Sequence, residues 1–389
     1  MTNLLYNKSS YIKTFTASVL SCEPIDDTGD TYAVTLDRTA FFPEQGGQYA
    51  DRGTLGGADV LDVQIKNGDV VHTVSAPLAV GAVVEGVLDW ETRYDRMQNH
   101  TGEHIVSGIL HAMFGYDNVG FHLGDEVMTL DTSGELTAEQ IAEVERRANR
   151  AVYENKPVLV TYPDAEALSG MEYRAKLDLM EDVRIVTIPD WDVCACCAPH
   201  VAHTGEVGMI KMIDAIRWKG GMRLTLVCGR RALADYCMRK NELSRISTAL
   251  SAKAEETYDA FCRVQNTVAE QKAEIVRLRR SLLELQLSSV EVTDGNLCLF
   301  LDDADNDALR AAVNACVDKC GGLCGVFTGS DADGYRFVIG AKNIPLRARA
   351  KEITAALDGR GGGSDQMISG SVKASAAEIR AYFAGEDKE

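Results

Sequence analysis

Over its first 88 positions the chain alternates apolar and polar residues in short runs, at 14–20, 32–36, 60–65, 70–74 and 83–88, separated by Gly, Asp and Asn. A period of two marks half-buried strands, and short strands at such close intervals predict a small β-barrel over 1–88. One stretch, RTAFFPEQGGQYADRG at 38–53, breaks the alternation. Its Gly46 and Gly47 suit either a hairpin needing positive φ or a backbone that approaches a ligand closely, with Glu44, Gln48 and Asp51 as polar groups beside them. At Asp89 the period changes. Met97, Ile105, Val106, Ile109, Leu110 and Met113 recur at helical spacing up to Phe114, with Asp89 as N-cap and Gly115 as stop.

Beyond that helix the pattern predicts a strand pair within 119–134, a helix over 137–154, strands at 158–161 and 183–188, and two strands around a turn at 219–221. Residues 89–232 therefore read as an α+β domain. No Gly or Pro occurs from Arg230 to Asp294, and apolar positions alternate three and four apart except for a stutter between Leu250 and Ala254. This predicts one helix of about 60 Å over 233–290. Its apolar seam needs a partner, and a homodimer through 233–290 is the expected arrangement. Residues 291–389 read as a compact α/β unit ending near GRGGGSDQMISGS, whose glycines suit an anion-binding or flexible loop. The fold class is thus α+β multidomain.

Composition excludes several classes. The chain has 389 residues, and no apolar run nears the eighteen or more of a membrane span. The N-terminus lacks the apolar core of a signal peptide, and eleven cysteines without a repeating framework fit a reducing, cytoplasmic setting. A net charge of −18 opposes a polyanionic partner, yet nine Lys/Arg against three acids fall between Lys211 and Arg245. That excess reads as a solvated charged face or a basic surface.

The chemical signal lies in NHTGEH, carrying His100 and His104, and in CACCAPH, carrying Cys196 and His200. Side chains four apart on a helix stand one above the other, so both imidazoles can reach one ion. A thiolate with imidazoles suits zinc better than magnesium or calcium. Cys197 with His200 would make an equally feasible short loop, and four protein donors could also close a purely structural site.

HTGEH, CCAPHVAHTGEVG, FFPEQGGQYADRG, VCGRRAL and GRGGGSDQMISGS occur in the order found in free-standing alanyl-tRNA editing proteins, and the chain resembles the long form of that AlaX family along its whole length. The resemblance implies a barrel, a zinc-dependent editing domain, a long coiled-coil-like helix and a C-terminal DHH-associated domain. It implies hydrolysis of serine or glycine from alanine tRNA, with zinc held by His100, His104, Cys196 and His200. It further implies that Thr101 contacts the aminoacyl group, that the Gly46–Gly47 loop helps admit serine, and that tRNA phosphates meet 211–231 and the C-terminal glycine loop; His122 in GFHLG is a pocket candidate or a plain structural histidine. The family commonly has CGGTH where this chain has CCAPH. The alternatives are editing of another mischarged tRNA, such as seryl-tRNA of the threonine type, and a non-catalytic coiled-coil RNA-binding protein with structural zinc.

Overall fold

The computed structural model describes residues 2–25, 30–175 and 183–385, and the chain divides into two compact units, Met1–Arg245 and Ile246–Glu389. In the first unit the alternating N-terminal runs close a six-stranded antiparallel barrel. Its order is Thr14–Pro24, Tyr32–Leu36, Asp69–Val74, Ala58–Lys66, Gly53–Leu55 and Val83–Leu88, which returns to the first strand. Every second side chain points inward, so Val19, Val34, Leu36, Val60, Val63 and Val74 form the barrel core.

The helix Trp90–Phe114 leaves the last barrel strand and starts and stops where the sequence predicts. The Asp89 carboxylate accepts from Thr92 N–H at 3.2 Å, and Gly115 closes the last turn at φ 67°. With the helix Ala138–Glu154 it covers a four-stranded antiparallel sheet ordered Ile210–Trp218, Gly221–Cys228, Met128–Thr132, Asn118–Leu123. A three-stranded sheet of Leu159–Thr161, Ile185–Ile188 and Asp192–Ala195 carries the second motif.

The expected single helix over 233–290 is instead two helices, Gly229–Ala249 and Thr257–Ser288. The break falls at the stutter. Ser251 takes φ 50°, its N–H returns to Thr248 C=O at 3.0 Å, and Ala252 N–H reaches Ser247 C=O at 2.9 Å. That is a Schellman ending with serine in the left-handed position.

The second unit contains a five-stranded sheet ordered Leu297–Phe300, Cys324–Ser330, Gly334–Gly340, Met367–Val372, Gly359–Gly363. The glycine run is therefore an edge strand, not the open loop expected. A Cβ at Gly361 would lie 2.6 Å from Ser369 O, and one at Gly363 would lie 2.3 Å from Met367 O, so side chains are excluded by the paired strand. Among the described residues no helix is long and apolar enough to cross a membrane.

Candidate metal centre

His100 and His104 sit one turn apart on Trp90–Phe114, ring centroids 5.5 Å from each other. The loop leaving Asp192–Ala195 brings His200 to 5.0 Å from His100 and 4.6 Å from His104, measured between ring centroids. Cys196 Sγ lies 3.5 Å from His100 Nε2 and 3.4 Å from His200 Nε2. All four donor atoms fall within 4.8 Å of one another, a grouping that could hold a metal ion. The three histidines are buried, each at most 3 % exposed.

Two local features bring the loop to the helix. Gly108 removes a side chain where the strand crosses, since a Cβ there would stand 2.1 Å from Trp191 O. Arg184, mostly buried, donates through Nη1 to the carbonyls of Cys196 (2.7 Å) and Ala198 (2.9 Å). Ala198 in turn packs against Tyr6 and Phe42 from the barrel side.

Each imidazole has an oxygen partner at Nδ1. Gln48 Oε1 lies 2.9 Å from His100, Asp192 Oδ2 2.9 Å from His104, and Thr101 Oγ1 3.0 Å from His200. Donation from Nδ1 to these oxygens fixes the tautomer that leaves Nε2 free to bind a metal. Arg174 holds Asp192 by two hydrogen bonds, Nε to Oδ1 at 2.8 Å and Nη2 to Oδ2 at 2.9 Å.

Electrostatics separate Cys196 from its neighbours. Burial opposes its ionisation, but the neighbouring imidazoles, His100 and His104 foremost, hold the Cys196 thiol well below its ordinary value. Cys194 and Cys197 are pushed up to about 11, chiefly by burial. Burial lowers His200 to about 3, whereas at His104 the same burial is outweighed by Cys196, Cys194 and Asp192, which hold it well above its ordinary value. Cys197 is outside the four-donor group; its Sγ would lie 3.6 Å from a Cβ on Gly46.

The remaining sequence candidates are placed as follows. Gly47, at φ 81°, sits so close to Asn118–Leu123 that a Cβ would meet Phe121 O at 2.7 Å, and Leu123 N–H donates to Gly47 C=O at 2.9 Å. The glycines thus seat the loop that delivers Gln48 to His100. Thr101 is fully buried, its hydroxyl oxygen also accepting from Val201 N–H at 3.3 Å. His122 is exposed and pairs edge-on with Tyr49, ring centroids 5.4 Å apart. Strand alternation turns Phe121, not His122, toward His100, at 5.0 Å between ring centroids.

Residues 183–223 match the family described as "Threonyl and Alanyl tRNA synthetase second additional domain", and residues 4–92 match "tRNA synthetases class II (A)". The alanyl-tRNA editing protein AlaX-L of Pyrococcus horikoshii is 29% identical, over 97% of this chain and 96% of its own length. The alanyl-tRNA editing protein Aarsd1 of Mus musculus is 26% identical, over 94% of this chain and 93% of its own. The chain is thus similar to alanyl-tRNA editing proteins over nearly its whole length. An alanine–tRNA ligase of Ignicoccus hospitalis is 32% identical over 79% of this chain, which spans only 35% of that ligase.

In the CCAPH loop the Ala198 methyl is fully buried against Tyr6 and Phe42. The basic stretch is largely neutralised. Lys211, Arg217, Arg223, Arg230 and Arg231 pair with Glu145, Glu135, Asp131, Glu91 and Asp95 respectively. The surface expected at 211–231 is thus a set of ion pairs with acids from elsewhere in the fold. Sequence reasoning passed over Asp192, Arg174 and Arg184. Asp192, two residues before Cys194 in the motif region, was the one local clue.

Proposed function

We propose that this protein hydrolyses the ester joining a wrongly attached amino acid, serine or glycine, to alanine tRNA, acting free of the ligase that made it. The observation that carries this is the convergence of His100, His104, Cys196 and His200 in a chain that aligns end to end with free-standing editing proteins. The donor set fits zinc. Tetrahedral zinc, with bonds of about 2.3 Å to sulfur and 2.0–2.1 Å to nitrogen, separates two such donors by about 3.5 Å. The Cys196–His100 and Cys196–His200 separations are 3.5 and 3.4 Å. Zinc held here supplies Lewis acidity toward the ester or the attacking water.

The chain's own groups do the rest. Gln48, Asp192 and Thr101 hold the three rings in register, and the Gly46–Gly47 loop forms the wall next to His100 and Phe121. Acceptance of serine over alanine follows the rule that a site built to hydrogen-bond a hydroxyl penalises an analogue lacking it. The half-exposed stripe Phe261, Val264, Val268, Ile275, Leu278, Leu282 and Leu285 on Thr257–Ser288 supports pairing with a second copy as a coiled coil. Residues 291–389 correspond to the DHH-associated domain.

The test is a deacylation panel of seryl- and glycyl-tRNA of the alanine type and seryl-tRNA of the threonine type, with and without chelator. Release of serine from the alanine tRNA, lost on chelation and restored by zinc, is the expected result. No release by zinc-loaded protein overturns the proposal. Release from the threonine tRNA alone moves the substrate assignment.

A further inference from the structure

The helix that carries both histidines also buries a carboxylate to which the metal reading gives no task. Glu103, between Gly102 and His104, is 4 % exposed. Its Oε1 accepts from Asn118 Nδ2 at 2.6 Å and from the Ser107 hydroxyl. Its Oε2 lies 3.9 Å from His104 Nε2, the ring nitrogen opposite the one on Asp192. The carboxylate is therefore fixed through one oxygen and presents the other beside the four-donor group.

Burying a carboxylate is unfavourable unless donors or a cation compensate it. Among the described residues, Ser107 and Asn118 donate to Oε1 only. The nearby guanidinium, Arg174, is committed by two hydrogen bonds to Asp192. Zinc held at His104 would offset part of this charge without bonding Oε2, and a hydrogen-bonding cation brought by the substrate would complete the arrangement; every aminoacyl ester carries one. Its α-ammonium nitrogen stands about 2.5 Å from the ester carbonyl carbon, as the N–Cα and Cα–C bonds and the angle between them dictate. A carbonyl held at the histidine cluster thus places the ammonium within reach of a carboxylate next to that cluster.

We propose that Glu103 anchors the α-ammonium of the esterified amino acid. The proposal rests on the ester-hydrolase reading above and adds the substrate feature that is read irrespective of side chain. Esters of α-hydroxy acids and of N-acylated amino acids are then poor ligands, and the hydroxyl of serine is recognised elsewhere in the pocket.

The test uses two non-hydrolysable probes with the zinc-loaded full chain: 3′-serylamino-3′-deoxyadenosine, and its glyceroyl counterpart in which a hydroxyl replaces the amine. Binding of each is measured by calorimetry for wild type, Glu103→Gln and Glu103→Asp, and zinc content is measured alongside. Gln keeps the acceptor for Ser107 and Asn118, so zinc content should not change. Wild type is expected to bind the amine probe at least tenfold more tightly than the hydroxyl probe. The Gln variant should bring the two within about twofold, by weakening only the amine probe, and the Asp variant should retain part of the preference. Equal affinity of wild type for both probes, including none for either, overturns the proposal. So does an equal loss for both probes in Glu103→Gln, or a preference that survives while hydrolysis collapses, which would make Glu103 a proton acceptor. If wild type prefers the amine probe yet never releases serine from tRNA, the editing reading fails and the anchor stands.

Discussion

His104 Nδ1 lies 2.9 Å from Asp192 Oδ2, and Arg174 grips the same carboxylate by two hydrogen bonds. A carboxylate that accepts from a ligating imidazole orients the ring and raises its basicity, and its loss usually weakens metal binding about 10- to 100-fold. Asp192→Asn should weaken zinc binding by that order, as read by competition with a chromophoric chelator, with deacylation falling in parallel at limiting zinc. Unchanged affinity would show that Asp192 serves only to fold the loop.

Thr101 offers its hydroxyl to His200 and Val201 from a fully buried position. Thr101→Val keeps the shape and removes the acceptor, so zinc affinity should fall about tenfold or more. A rise in KM for seryl-tRNA at full zinc occupancy, with metal affinity intact, would instead assign Thr101 to the substrate.

His72 fills the barrel interior, with Nε2 2.8 Å from Thr39 Oγ1 and Nδ1 3.2 Å from Val34 O. Burial lowers it to about 4 from an ordinary value of 6.5. The unfolded chain therefore binds the extra proton between pH 6.5 and 4. Stability is present in full above that window and is lost as pH falls through it, by about 3 kcal/mol. Denaturant midpoints at pH 7.5 and 4.5 should show the loss, and His72→Gln should flatten it.

Leu278 and Leu282 are more than half exposed on Thr257–Ser288. If that stripe pairs with a second copy, the double change Leu278→Glu with Leu282→Glu should convert a dimer to a monomer in sedimentation analysis, with the first unit's zinc content untouched. A wild-type monomer at all accessible concentrations would remove the pairing.

Local physics made part of this protein readable from its residues. Asp89 and Gly115 bound the histidine helix because capping depends on the residues at the ends, and His100 and His104 face one way because 3.6 residues make a turn. The strand alternation of 1–88 and the donor chemistry of Cys196 and His200 were equally local. Where neighbours in sequence compete, the residues gave no answer: Cys196 and Cys197 are alike in type, and only the fold surrounds one of them with three imidazoles.

Other features depended on partners distant in the chain. Gln48 and Asp192 reach the rings from 52 and 88 positions away. Five of the six bases of 211–231, all but Lys219, pair with Glu91, Asp95, Asp131, Glu135 and Glu145, acids outside the stretch. The glycines at 359–363 form a strand because Met367–Val372 supplies the ladder, and the long helix ends at Ser251 because a serine there takes a conformation that favours glycine. The sequence therefore determined which groups could do chemistry. Packing between distant segments decided which were buried, paired and aimed, because hydrogen bonding and charge compensation are set by neighbours in space.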